Sequence, residues 1–356
     1  MKETPHHSKS VSGLPIVQQK IYYSFGIDVS KDTLDIAFYD GQVIEKKHHL
    51  KVSNDQRGFD SMFKWMTSAF SITDIGSIRV CFESTGVYSR LLQHYMEQKG
   101  VTYYVVGGEV IKNYTIPQNE HGLRYIKTDK ADAIKIAIYC HLNRQSLSPS
   151  KLPSPVIQQL QRLVSERRKY IAGKNGFSNR ITGAFPEESD ATLSRWGHYL
   201  ESFEDSAKEV EKEILRVIES EVALQRSYKL LVSIPGIGLV LASDTIAYTE
   251  NFTKITDPRK YCAFIGLMSY EHSSGKVKGK PKRKKIAHPA KKNLGSACTS
   301  NISKDPYIRA IYDRMLAQGK PKGVIYNSIK CFMVRRMFGV IKRGTPFEHR
   351  DTTPSL

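Results

Sequence analysis

One stretch limits what this chain can become: residues 22–40, reading YYSFGIDVSKDTLDIAFYD. Its first half is apolar and rich in β-formers, and it carries a single carboxylate, Asp28, to its end. Ser30, Lys31 and Asp32 then make a polar turn, and Leu34 to Phe38 start a second strand. Short apolar runs bounded by turn-prone residues read as strands. An acid at the end of a buried strand is costly unless a cation or hydrogen bonds compensate it. Asp28 therefore directs attention to other carboxylates that could share a metal with it. Asp32 and Asp35 read as ordinary turn and strand-face charges.

The rest of the first half alternates helix and strand. Residues 1–20 form a polar arm, and a third strand is expected around 43–52. Phe59, Met62, Phe63, Met66 and Phe70 give residues 55–70 a helical period. Strands are expected at 78–83 and 101–106, and helices at 89–99 and 130–142. Strands followed by alternating helices and strands imply a mixed α/β sheet with helices packed on it, over 21–145. Residues 146–155 (SLSPSKLPSP) end that domain as a linker. Two helical segments fill 156–226, broken at Gly183–Pro186. In the second, Leu193, Trp196, Leu200, Phe203, Ala207, Val210, Ile214 and Val217 form a heptad seam. That seam fits either a coiled coil with a partner chain or an intramolecular hairpin against residues 156–177.

The charge distribution is uneven. The formal net charge is +19, and from Arg226 onward 25 Lys and Arg face only 8 Asp and Glu. Residues 1–225 are nearly balanced, with 29 against 27. So sharp a surplus points to a polyanion, nucleic acid first. Nine of these cations lie between Lys276 and Lys292 with no acid among them. Upstream, Pro235-Gly236-Ile237-Gly238 sits between two apolar helical segments. It resembles a helix–hairpin–helix turn, whose backbone N–H groups can hold a phosphate. Two closing helices are expected at 305–318 and 323–341, ahead of a tail at 346–356. No apolar run approaches the roughly 20 residues of a membrane span. The N-terminus lacks the apolar core of a signal peptide. Five cysteines (Cys81, Cys140, Cys262, Cys298 and Cys331) form no CxxC pair and indicate neither zinc nor disulfides. A cytoplasmic protein, nucleoid-associated when bound to DNA and with no membrane partner, is the expectation.

Four acids have the setting of a metal site. Asp28 and Glu83 end strands, and Asp129 and Asp132 open a helix three residues apart, on one face. Hard oxygen ligands suit Mg²⁺ or Mn²⁺. Two such ions about 4 Å apart can clamp a phosphodiester. Taken singly, each acid also fits a plainer role. Asp129 could cap the helix, Asp132 could complement its dipole, and Glu83 could be a satisfied strand-end charge.

The ordered set GIDVSK, FESTG, KTDKADA, IPGIG and FIGLMSYEHSSGK resembles the DEDD transposases of the IS110 insertion-sequence family and the related Piv/MooV DNA invertases. The resemblance runs over about residues 22–345. It implies an RNase H-like (RuvC-like) α/β catalytic domain, a helical coiled-coil insert, and a mainly α, basic C-terminal transposase domain over 227–345 with a helix-hairpin-helix-like element. It implies that Asp28, Glu83, Asp129 and Asp132 bind Mg²⁺ and that a serine before glycine is the nucleophile. Ser274 fits that position, with Ser273 as the alternative. It also implies DNA ends and a DNA target, a structured guide RNA encoded by the element, and a homo-oligomer, dimer or tetramer. The stretch from Ala287 to Leu294 departs from the family's turn after the basic run.

A serine hydroxyl needs a base, a metal or positive surroundings to attack at neutral pH. The cations Lys276, Lys278, Lys280, Lys282, Arg283, Lys284, Lys285, Lys291 and Lys292 could hold the DNA backbone and offset transition-state charge. Pro235, Gly236 and Gly238 join them as nucleic-acid contacts. A Ser-Gly loop feeding a basic strand is the plainer reading of the same residues. Rival functions are a RuvC-like nuclease using metal-activated water, an actin-like ATPase or sugar kinase with Gly107-Gly108 as its phosphate loop, and a non-enzymatic nucleic-acid binder.

Overall fold

The computed structural model describes residues 22–42, 48–114, 128–274, 277–283, 286 and 288–348. The chain divides into two compact units, residues 1–152 and 153–356.

The first unit is built on a five-stranded sheet of β1 (Tyr23–Val29), β2 (Thr33–Tyr39), β3 (His49–Ser53), β4 (Ile78–Glu83) and β5 (Thr102–Val106). The strand order is β3-β2-β1-β4-β5. β2 runs antiparallel to β1 and β3, while β4 is parallel to β1 and β5. The expected third strand begins at His49, and residues 43–47 of that expectation lie outside the described residues.

Alternation along the strands separates two chemistries. Phe25, Ile27, Leu34, Ile36, Val80 and Phe82 join one core with α1 (Gln56–Ser68) and α2 (Arg90–Gln98). The opposite face holds Gly26, Asp28, Ala37 and Cys81. It is covered by α4 (Asp129–Asn143), whose buried side includes Ala133, Ile136, Ala137 and Cys140. A short α3 (Gly108–Asn113) follows β5. The proline-rich stretch runs along the β5 edge. Ser150 Oγ accepts the Val105 N–H at 2.9 Å, and the Ser150 N–H donates to Tyr103 O at 2.9 Å. An edge strand left unpaired would invite aggregation, and this segment covers it.

The second unit begins with an antiparallel pair, α5 (Pro155–Thr182) and α6 (Asp190–Glu219). The heptad seam therefore has a partner within the chain, as in the hairpin reading. Arg167 meets Glu211 at 2.6 Å and Lys174 meets Glu204 at 2.7 Å. Phe203 packs on Gly173 and stacks on Phe177. Ala207, Val210, Ile214 and Val217 are buried, whereas Leu193, Trp196, Leu200 and Phe203 are only half-buried.

Next come α7 (Val222–Val232), α8 (Leu239–Thr249) and α9 (Pro258–Phe264), then a two-stranded sheet of β6 (Ser269–Ser274) and β7 (Val277–Arg283). The helices α10 (Pro289–Lys304), α11 (Pro306–Ala317) and α12 (Lys322–Arg343) close the unit. Asp305 ties three of these elements together: it caps α11 through the Tyr307 and Ile308 N–H groups and accepts from Arg336 of α12 at 2.6 Å, fully buried. Arg336 in turn lies over the Phe332 and Phe347 rings, 4.7 Å from each centroid. No helix among the described residues is long and apolar enough to cross a membrane.

Gly26 sets the distance between sheet and α4. A Cβ there would land on the backbone of Ala133, Ile136 and Ala137. Gly26→Ala is expected to lift α4 from β1 and cost about 1–3 kcal/mol of stability, as overpacking does. Chemical denaturation of the purified variant measures this, and a wild-type midpoint would contradict it.

Candidate active site

The sheet register collects the acids before any side chain is considered. Asp28 pairs with Asp35 across β1 and β2, and Asp35 pairs with Lys51 across β2 and β3. Residues directly opposite on neighbouring strands share a face. On the other side of β1, the parallel register Ile27↔Phe82 sets Glu83 beside Asp28. Lys51, Asp35, Asp28 and Glu83 thus form one row on the α4 face. The first turn of α4 brings Asp129 and Asp132 to the same end.

The electrostatics agree. The Asp28 carboxyl is pushed up from 3.8 to about 6, first by burial and then by the charges of Asp132, Asp129, Asp35 and Glu83. All four expected ligands therefore lie within electrostatic reach of one another's site. The cap of α4 is Thr128, whose side chain accepts from the Ala131 N–H, so the capping role considered for Asp129 belongs to its neighbour. Glu83 lies against Gly108, where a Cβ would strike its carboxylate.

Asp35 corrects the sequence reading. It is not an open strand-face charge: it is 4% exposed, with His49 Nε2 at 2.9 Å and Lys51 Nζ at 3.0 Å. Lys51 also reaches Asp129 at 3.6 Å, and Lys135 holds Asp132 at 2.9 Å. The sequence signal for Asp35 was its alternation with Leu34 and Ile36, which puts it on the same face as Asp28 once the hairpin register is known.

Among the described residues, no three His, Cys, Asp or Glu side chains converge closely enough to hold a metal ion as they stand. Asp129 and Asp132 are turned to lysines instead. The donor set nevertheless fits a hard divalent cation in kind. It is all carboxylate oxygen, and Asp28 is raised first by burial and then by the acids around it, both of which a bound cation would offset.

In the second unit, Ser273 and Ser274 end β6, paired with Lys278 and Val277 of β7. The basic run read as a strand or tail is in part a strand: Lys278, Lys280, Lys282 and Arg283 belong to β7. Lys276, Lys284 and Lys285 lie outside the described residues. Lys291 and Lys292 open α10, and Lys291 Nζ donates to Gly266 O at 2.9 Å.

The Pro235–Gly238 turn joins α7 to α8. Gly236 takes a left-handed φ of +76°, and its Cα packs on Asn301. Asn301 Nδ2 donates to Pro235 O at 2.7 Å, a tie from α10 that the sequence reading missed. Asn is an ordinary helix residue by pattern, so only the fold reveals this role.

Comparison with known proteins decides the family. Residues 25–187 match a DEDD transposase model of the IS110 type, and residues 228–313 match a model of the IS116/IS110/IS902 transposase family. Together they cover well over half the chain. The chain belongs to the IS110 transposase family. Pilin gene-inverting proteins of Moraxella lacunata and Moraxella bovis are each 23% identical over 333 residues, covering 91% of this chain and 97% of theirs. A chain of this family is a DNA transposase or recombinase, and DNA is its partner.

The sign of the Asp28 shift gives a stability test. A carboxyl whose pKa is raised by folding stabilises the fold only while protonated. Its ionised form costs increasingly as pH rises from 3.8 through about 6. Metal-free Asp28→Asn should therefore melt above wild type at pH beyond 6, with the gap closing as pH falls toward 4. Thermal melts in chelator across that range read the effect, and a variant less stable than wild type at neutral pH would contradict it.

Proposed function

We propose that this protein is an insertion-sequence transposase that cuts and rejoins DNA at a Mg²⁺-dependent four-acid site, with Ser274 as the nucleophile. The observation that carries the reading is the gathering of Asp132, Asp129 and Glu83 around Asp28 on the α4 face. On this reading the β3-β2-β1-β4-β5 sheet is RNase H-like (RuvC-like), and the α5–α6 pair is the coiled-coil insert of the family.

Asp28, Glu83, Asp129 and Asp132 would hold Mg²⁺, or Mn²⁺, with Lys51 and Lys135 released from Asp129 and Asp132. A divalent ion there supplies Lewis-acid stabilisation of the charge that develops on a phosphodiester under attack. The remaining steps belong to the chain. Ser274 Oγ loses its proton and bonds to phosphorus while one phosphorus–oxygen bond of the DNA breaks, and the departing deoxyribose oxygen takes up a proton. The phosphoserine bond keeps the strand attached for rejoining, and a 3′- or 5′-hydroxyl of the recipient strand reverses the step. Lysines of β7 hold the flanking phosphates by charge. Ser273 is the alternative nucleophile, one residue away on the same strand.

An element-encoded guide RNA and a homo-oligomer complete the proposal. The basic surplus beyond residue 225 accommodates RNA phosphates as readily as DNA. Strands of two DNAs must be cut together, which requires more than one nucleophile. Site-specific inversion is the second reading, favoured by relatives named for inverting a pilin gene.

Trapping the protein on cleaved DNA and locating the modified residue by mass spectrometry tests the central step. Ser274→Ala and Asp28→Asn should each abolish the covalent adduct. Cleavage that persists in Ser274→Ala and Ser273→Ala would instead indicate a nuclease using activated water.

A further inference from the structure

The second unit contains a cavity of about 990 Å³ that the four-acid chemistry does not use. One wall is α5, another the Gly236–Gly238 turn with the start of α8, and a third the first turns of α10. Five of its lining residues are cationic: Arg167, Arg168, Lys291, Lys292 and Lys330. No Asp or Glu lines it among the described residues.

Those cations differ in how occupied they are. Arg167 is paired with Glu211, Arg168 donates to the Tyr248 hydroxyl at 2.6 Å, and Lys291 is held by Gly266 O. Lys292 and Lys330 have no carboxylate at ion-pair distance among the described residues. Two helices of more than two turns also begin at this cavity. α8 starts at Gly238 with no side-chain cap, and the residues of its first turn are part of the lining. α10 starts at Pro289, capped by His288. Helix N-termini add positive potential and free N–H donors to what the side chains supply.

The size and lining argue for more than a phosphate. A bare phosphate needs a small fraction of this volume, whereas cavities of 300–1,000 Å³ take whole organic ligands. Ile171, Leu239 and Ile286 supply an apolar patch of the lining beside the cations. His288 is kept neutral, its pKa pushed down to about 4 by burial and by Arg168, so its ring presents a flat uncharged edge. Paired bases of a duplex are stacked and sheathed by their own backbones, and cannot enter a concave pocket. An unpaired base can, with its flanking phosphates left on the rim.

We propose that this cavity binds an unpaired nucleotide of a single-stranded nucleic acid, its base on the Ile171–Leu239 patch and its adjacent phosphates on Lys292 and Lys330. The proposal rests on the nucleic-acid reading of the second unit and adds selectivity for unpaired strand. DNA and RNA present the same base-and-phosphate chemistry here, and the assay separates them.

The test uses fluorescence anisotropy with labelled oligothymidylate, oligouridylate and a blunt DNA duplex of equal length, on the full chain. Lys292→Glu/Lys330→Glu should weaken single-strand binding by about tenfold or more and duplex binding by much less. Ile171→Trp crowds the apolar patch without changing charge, and should weaken single-strand binding while leaving the duplex untouched. Lys212→Glu on exposed α6 is the charge control, and circular dichroism checks each fold. The stronger of the two single strands identifies the natural ligand. Equal losses on duplex and single strand, or no loss with Ile171→Trp, would overturn the pocket. A wild-type chain that binds no nucleic acid would overturn the broader reading instead, so the two failures are distinct.

Discussion

Mutual repulsion among carboxylates is the constraint that shapes the first unit. Asp28, Asp35, Glu83, Asp129 and Asp132 meet at one end of a sheet whose other face is a sealed apolar core. Like charges opposite one another on strands destabilise pairing. The protein meets that cost unevenly. Asp35 receives His49 and Lys51, Asp132 receives Lys135, and Asp129 shares Lys51. Asp28 receives none of these and pays through its own raised pKa. A half-buried carboxyl with a raised pKa among other acids is where a functional site is expected.

The second unit has the reverse problem. From Arg226 onward cations exceed acids by 25 to 8, and two of those acids are buried where they hold helices together. Asp305 is the clearest case: fully buried, it caps one helix and pairs with an arginine of another. Asp244 is similar, buried on α8, held by Asn293 at 2.7 Å, and pushed up to about 6 by burial. The remaining acids are too few to pair with every outward cation of this region, and two helix N-termini add to the positive surplus. Such a charge surplus suits a polyanionic partner.

Much of this was legible in the sequence, and the exceptions share a cause. The strands at 78–83 and 102–106, α1, α2 and α4 were set by short-range apolar period, which the fold left intact. The four acids were recognisable by their position at strand ends and in a helix first turn. Asp35 was misjudged because its fate depends on register: a residue between Leu34 and Ile36 is either exposed or buried according to what covers that face. β6 was missed because Ser273 and Ser274 were read as part of a Ser-Gly loop, and the polar residues of Ser269–Ser274 give little strand signal. Asn301 gave no signal at all, since its partner Pro235 lies 66 residues away. Local pattern predicts elements; long-range polar ties emerge only when elements meet.

The contrast between Asp28 and Asp35 explains why the site lies where it does. They are neighbours across one strand pair and on one face, Asp35 buried and Asp28 half-buried. What separates them is β3. Its alternation delivers His49 and Lys51 to Asp35, which stands between β3 and Asp28 in the same cross-strand row. On the Asp28 side stands β4, which delivers another acid, Glu83, and α4, which Gly26 admits close enough to add two more. A carboxylate whose neighbours are cations is neutralised and inert. One whose neighbours are acids gains most from a divalent ion, since each added ligand charge that repels it in the empty state attracts the same ion in the loaded one. Strand order and the approach of α4 thus make one of two adjacent aspartates structural and leave the other at the centre of the proposed metal site.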